Sequence, residues 1–325
     1  MTLVRDIAKQ ILAADPEPAV RVRLLRDVLH FPPEDPQFVR AKNDLNQSHR
    51  VEQLRNEQRD DGSWGRFHSE DTKRKQSIST TEFGVERAQA LGLDDAHPMV
   101  SRAIHYLVRV LDGQIDFPDP PEKNDRWATG TKLFTAATLA RIQPDHPALN
   151  GAMDLWSAIA EQTFASGAYD SESEIEAHRQ RTGATVKDSY LRLHSKYQVL
   201  LLGSRPKLLS PVTETRLLDW LFGRENGLGY LDMSLSPPRH GYTASQMDRW
   251  FTSLEIVSRF PGWRERTEDI IRWLWNRRGD DGLWDFGPKA SHTTFMPLSE
   301  NWQKKTARKF DWTTRTLLLL EKYHG

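Results

Sequence analysis

Apolar positions along this chain recur at helical spacing, and no stretch alternates as a half-buried strand would. Leu149, Ala152, Leu155, Trp156 and Ile159 share one helical face, with polar residues opposite. Segments of this one-sided kind lie near 36–57, 97–111, 147–165, 211–223 and 264–278, and 2–13 supplies a sixth. A second kind turns apolar on all sides late in its length and lies near 18–31, 78–92, 125–143, 186–203, 243–260 and 308–323. Pro32-Pro33, Pro98, Pro147, Pro211 and Pro261-Gly262 fall between the two kinds, where proline ends or opens a helix.

Glycine followed closely by an aromatic punctuates the same pattern: Gly62-Ser63-Trp64, Gly167-Ala168-Tyr169, Gly227-Leu228-Gly229-Tyr230 and Gly282-Leu283-Trp284, with a degenerate copy at Gly113 to Phe117. These glycines are spaced by 51, 54, 60 and 55 residues, room for two helices and their loops. Six helices apolar all round and six with one wet face predict an all-α chain, an α/α toroid with an inner and an outer ring. Closure of the rings removes the ends that an open solenoid must cap. With no linker or low-complexity stretch, residues 1–325 read as a single domain. The longest irregular segments are 112–124, 167–185, 230–242 and 285–307.

Lys plus Arg and Asp plus Glu each number 45, so there is no basic excess to suggest nucleic acid. With no cysteine, disulfides, thiolate metal sites and a cysteine nucleophile are excluded together. No histidine pair has the spacing of a helical zinc motif, so neither metal nor cofactor is expected. The N-terminus lacks the apolar run of a signal peptide, and the longest leucine runs fall far short of the ~20 residues of a membrane span. A cytoplasmic location is expected, with peripheral contact to a membrane surface left open.

The run Gln58-Arg59-Asp60-Asp61-Gly62-Ser63-Trp64 matches the Gln-x-x-x-Gly-x-Trp repeat of squalene and oxidosqualene cyclases. Arg278 to Trp284 resembles a second copy without its glutamine. With the phasing of the two helix kinds, the chain resembles the terpenoid cyclase and protein prenyltransferase superfamily. That resemblance implies a central cavity, an isoprenoid or otherwise largely apolar substrate, and carbocation chemistry started by an acid or by ionisation. The Asp-x-Asp-Asp motif of the cyclases is absent, as is the cysteine-containing zinc site of the prenyltransferases.

The predicted inner helices start alike: Glu82-Phe83, Asp125-Arg126-Trp127, Asp188-Ser189-Tyr190, Asp248-Arg249-Trp250 and Asp311-Trp312 each set an acid just before an aromatic. One acid per repeat predicts carboxylates around one end of a barrel. An acid in a first turn also complements the helix dipole, a purely structural use. Crowding and burial raise a carboxyl's pKa, so Asp248, Asp125, Asp188 and Asp311 are candidate general acids. Asp248 ranks first, with His240 or Tyr242 to reset its proton. Arg126, Lys187, Arg249 and Arg315 are candidates to hold an anionic substrate group. Trp127, Tyr190, Trp250 and Trp312 are candidates to line the cavity, by stabilising cations or stacking on sugars. Two other readings stand beside the isoprenoid one. A carbohydrate-active hydrolase or lyase would show an open polar groove. A non-catalytic ligand-binding toroid would show paired acids and a filled cavity.

Overall fold

A computed structural model describes residues 2–186, 189–239, 241–288 and 297–325. The chain is all-helical, and no β-strand forms among these residues. In order the helices are α1 (Thr2–Ala13), α2 (Pro18–Asp27), α3 (Pro36–Asn46), α4 (His49–Glu57), α5 (Thr81–Leu91), α6 (Pro98–Leu111) and α7 (Trp127–Ile142). They continue as α8 (Asn150–Thr163), α9 (Ser171–Thr182), α10 (Lys196–Leu202), α11 (Pro211–Gly223), α12 (Ala244–Val257), α13 (Glu268–Asn276) and α14 (Lys305–His324).

The two kinds of helix are real. α7 buries Leu133, Phe134, Ala136, Ala137, Leu139 and Ala140 around its circumference. Thr135 and Thr138 join them because their hydroxyls donate to the carbonyls four residues back, both at 2.8 Å. α6 buries only one face, Met99, Val100, Ala103, Ile104, Tyr106 and Leu107.

Four expected segments differ. The span 36–57 is two helices, because Ser48 caps a new start by accepting from Val51 N. Residues 167–185, expected to be irregular, contain α9. It is capped by Asp170, carries Glu172 and Glu174 in its first turn and Arg179 and Arg181 in its last, and stops at left-handed Gly183. Helix 186–203 begins only at Lys196, after the cap Ser195. Helix 264–278 is a tight turn over Pro261–Arg266 followed by α13.

α2 packs on α5, α5 on α7, α7 on α10 and α10 on α12, while α14 packs on α2. Arg315 ties α14 to α12 through Asp248 and Glu255. Around them, α3 lies on α2, α6 on α5 and α7, α8 on α7 and α10, and α1 on α14 and α2. The C-terminal ends of the first set gather together. Arg23 of α2 donates to Gln89 O and Ala90 O at the end of α5, and Gln89 donates to Arg141 O at the end of α7. Arg259, just past α12, reaches Ala140 O and Arg141 O, and Lys322 of α14 donates to Ser258 Oγ. These helices therefore run the same way, and their first turns face the other end.

The Gly-x-Trp loops lock neighbouring helices together. Trp64 N donates to Thr81 Oγ1 of α5 and its indole to Leu54 O of α4. Trp284 repeats both bonds with Thr313 of α14 and Leu274 of α13. Gln58 donates to Gly62 O and to Met99 O of α6, both at 2.9 Å.

Candidate functional site

Two features are built on the α2, α5, α7, α10, α12 and α14 set. The larger is a cavity of about 750 Å3. Charged side chains from five of these six helices line it: Arg23 and Asp27 of α2, Glu86 of α5, Arg141 of α7, Asp248 and Glu255 of α12, and Asp311 and Arg315 of α14. Apolar side chains share the lining, with Ile142 of α7, Leu200 of α10, Ile256 of α12 and Leu318 of α14 among them.

The smaller is a pocket of about 100 Å3 at the first-turn end, walled by His68, Phe117, Trp127, Phe134, Tyr190 and Tyr230. Behind His68 of its wall, a buried polar cluster is assembled from three pieces of chain. α5 starts at the cap Thr80 and places Glu82 in its first turn. α10 starts at the cap Ser195 and places Lys196 and Tyr197 in its first turn. The loop after Trp64 brings in His68. Asp119 fixes that loop by accepting from the backbone N–H groups of Phe67, His68 and Ser69. Thr81 N and Glu82 N donate to Arg66 O and Phe67 O, which aligns it with α5.

These pieces meet on the Glu82 carboxylate. His68 Nδ1 lies 2.8 Å from Oε2, Tyr197 donates to Oε2 at 2.9 Å, and Lys196 donates to Oε1 at 2.9 Å. Burial alone would raise the Glu82 pKa, but Lys196 and His68 outweigh it and hold the carboxyl well below its usual range. Burial likewise opposes the charge on Lys196, and Glu82 and Glu86 restore it, leaving its pKa raised. Burial and the Glu82 charge push Tyr197 well above its ordinary value, so it stays a donor. The contact with an ionised carboxylate assigns the His68 proton to Nδ1 and leaves Nε2 as the basic nitrogen. His68 keeps 31% of its side chain exposed, so that nitrogen is reachable from the pocket.

Tyr230 packs on this cluster edge-on, its ring 5.9 Å from that of His68 and 5.2 Å from that of Tyr197. It does so at a φ of +72°, a left-handed backbone that costs a residue with a side chain about 1–3 kcal/mol. Its loop is anchored where Lys196 N donates to Gly229 O and Gly229 N donates to His194 O. Lys196 also faces Glu86 of the cavity wall, its Nζ 4.0 Å from that carboxylate.

The residues expected to form a site divide between these features. Trp127 and Tyr190 wall the pocket, and Arg126 lies over the Tyr190 ring at 6.0 Å. Asp125 is exposed, and two bonds from Thr185, side chain and backbone, keep its pKa low. Asp248 is buried on the cavity wall and accepts from Arg315 Nη1 at 2.6 Å, so its basic partner comes from α14 and is not Arg249. Arg315 also holds Glu255 in two bonds. Burial works against its charge, but Glu255 and Asp248 raise its pKa. Asp311 accepts from Leu298 N, Ser299 N, Ser299 Oγ and the Trp302 indole, which clamps the segment before α14. Burial still leaves its pKa raised. Trp250 and Trp312 are fully buried, their indoles donating to Ser236 O and Gly287 O. These two tryptophans and Arg249 line neither feature. Lys187, Asp188 and His240 lie outside the described residues.

Glu82 was legible as one of the repeated acids. Tyr230 stood out only as the aromatic of a Gly-aromatic repeat, and His68 and Tyr197 were not singled out, because the long-range packing that brings them to Glu82 leaves no short motif. Among the described residues no group of three or more His, Asp or Glu side chains is arranged to hold a metal ion. No helix among them is long and apolar enough to cross a membrane. Compared with protein-family models, curated proteins and solved structures, the chain matches none.

Proposed function

We propose that this protein is an enzyme built as a closed α/α toroid, with α2, α5, α7, α10, α12 and α14 as the inner ring. It draws a polar small molecule into the charged cavity, and His68 moves a proton at the aromatic pocket. The buried Glu82–His68 contact at 2.8 Å, open on one side to that pocket, carries this reading. A carboxylate behind an imidazole fixes its tautomer and stabilises the imidazolium formed when Nε2 takes a proton. Tyr197 and Lys196 hold Glu82 in place and ionised, acting through it as positioning residues. The Gly-x-Trp loops and the order of helix contacts support kinship with the terpenoid cyclase and prenyltransferase architecture. The charged groups of the cavity favour a polar ligand over an isoprenoid, although Ile142, Leu200, Ile256 and Leu318 give the same cavity an apolar part. A hydrocarbon chain there would desolvate charged groups from five helices with no compensating bond.

A carbohydrate-active enzyme is the second reading. Its support is the meeting of Trp127 and Tyr190 with Asp119 and Glu122 around one small pocket, since aromatic faces stack on sugar rings.

The test is consumption of compounds from mixed pools of polar metabolites, oligosaccharides and isoprenoids, followed by mass spectrometry. The wild type is expected to consume a polar compound. Folded His68→Asn should turn it over about 10²–10⁴-fold more slowly. Equal consumption by the two proteins would refute the role of His68. Consumption of an isoprenoid alone would refute the substrate class, and consumption of an oligosaccharide alone would favour the second reading.

A further inference from the structure

The end of the cavity where the inner helices finish has a charge pattern that internal pairing does not explain. Arg259 is largely buried, and its guanidinium reaches only Ala140 O at 3.4 Å and Arg141 O at 3.3 Å, both long bonds. No carboxylate forms an ion pair with it among the described residues. Arg141 lies alongside and pairs with Glu86 at 2.7 Å, but Glu86 also faces Lys196. Lys322 is exposed at the rim, with its Nζ donating to Ser258 Oγ at 2.9 Å. Glu255, whose field reaches Lys322, is already held in two bonds by Arg315. Three cations therefore converge where, among the described residues, Glu86, shared between Arg141 and Lys196, is the one carboxylate paired with any of them, and Glu255 is held by Arg315. Burial and Arg141 push the Arg259 pKa down to about 10, and burial and Arg259 act the same way on Lys322, tempered there by solvent.

Helix C-termini attract cations, and one arginine would cap the carbonyls of α7. That use does not call for a second and third cation packed against the first at mutual cost. On the physical side, three forked or mobile donors around an open volume match an oxyanion, which accepts several charge-assisted bonds at once.

We infer that Arg259, Arg141 and Lys322 form an oxyanion subsite at the inner-helix C-terminal end of the cavity, taking the carboxylate or phosphate group of a small-molecule ligand. The inference rests on reading the cavity as a substrate site, and it adds that the substrate is anionic. The ligand's charged end would sit between α7, α12 and α14, with the rest of the molecule directed past Glu86 towards Lys196 and the aromatic pocket.

Calorimetric titration of the full chain with inorganic phosphate, and separately with malonate, at ionic strength held constant with chloride, tests it. The expected result is saturable binding of at least one anion, and the better ligand identifies the group. Arg259→Gln and Lys322→Gln should each weaken that binding at least tenfold. Lys322 lies at the exposed rim, so its variant keeps the test usable if Arg259→Gln does not fold. His68→Asn should bind the anion as the wild type does, which separates failure of this subsite from failure of the proton-transfer reading. Absence of saturable binding by both anions, or undiminished binding in the folded variants, would overturn the proposal.

Discussion

At the residue scale, the glycines and tryptophans of the repeat do structural work that substitution can measure. Gly62 has a φ of +95°, and a Cβ built there would stand 2.3 Å from Arg102 O of α6. Any side chain meets both the left-handed backbone and a backbone oxygen that cannot move aside. Gly62→Ala should cost about 1–3 kcal/mol from backbone strain alone, with overlap adding to it. A lowered urea midpoint with an unchanged slope is the expected outcome; an unchanged midpoint would mean that α6 yields easily. These positions were legible in the sequence because their spacing repeats. The site was less so. Glu82 belongs to the series of acids at helix starts, yet that series proved chemically mixed. Asp311 clamps a loop, Asp248 holds an arginine, Asp125 ties down Thr185, and Glu82 meets a histidine. A common place in the repeat sets where such an acid stands. The partner that arrives from another loop sets what it does.

At the element scale, hydrophobic periodicity located the long helices well, because one-sided and all-round burial leave different patterns over three turns. It missed α9, whose capping Asp170 and closing Gly183 are clear local signals but whose apolar content is slight. Of the α1 face expected from Leu3, Ile7, Ile11 and Leu12, the structure buries Ile7 and Ile11 and turns Leu3 outward. Leu3 is 47% exposed, and Val4, Ile7, Ala8 and Ile11 form the contact with α14 and α2. Deleting residues 1–14 exposes that face and the helices beneath it. Three aliphatic side chains at roughly 1.5–3 kcal/mol each approach the roughly 5–15 kcal/mol that stabilises an ordinary domain. The truncated protein should therefore melt far lower or fail to fold. Val4→Ala and Ile11→Ala together should lower the melting temperature in the same direction, whereas Leu3→Ala should not. Equal effects at Leu3 and Val4 would mean that α1 sits on its neighbours by a different face.

At the scale of the whole molecule, buried titratable groups tie the stability of the fold to pH. His178 is fully buried beside the Trp156 ring, and burial, with Arg192 nearby, pushes its pKa down to about 4. His194 is pushed down to about 4 by burial, with Arg224 and Arg192 adding to it. In the unfolded chain a histidine takes up its proton near pH 6.5. Between about 6.5 and 4 the unfolded state thus binds more protons than the folded one, and stability falls as pH falls. The limiting slope is about 1.4 kcal/mol per pH unit for each such group. Glu174 works in the opposite sense. Burial raises its pKa despite its contact with Arg192, so the folded state favours its protonated form and recovers some stability as pH drops through that raised value. Glu82, held low by its neighbours, adds a further loss only below the usual carboxylate range. Asp311, also raised by burial, acts in the same sense as Glu174, whereas His97 and His324, lowered by burial, act with His178 and His194 between pH 6.5 and 5. Urea unfolding at pH 7.5, 6.5, 5.5 and 5 should show stability dropping across that window. His178→Gln should flatten the drop by up to about 1.4 kcal/mol per pH unit, whatever it costs at neutral pH. An identical pH slope in the variant would mean that His178 takes up its proton in the folded state as readily as in the unfolded one, and that the packing around Trp156 opens to admit the charge.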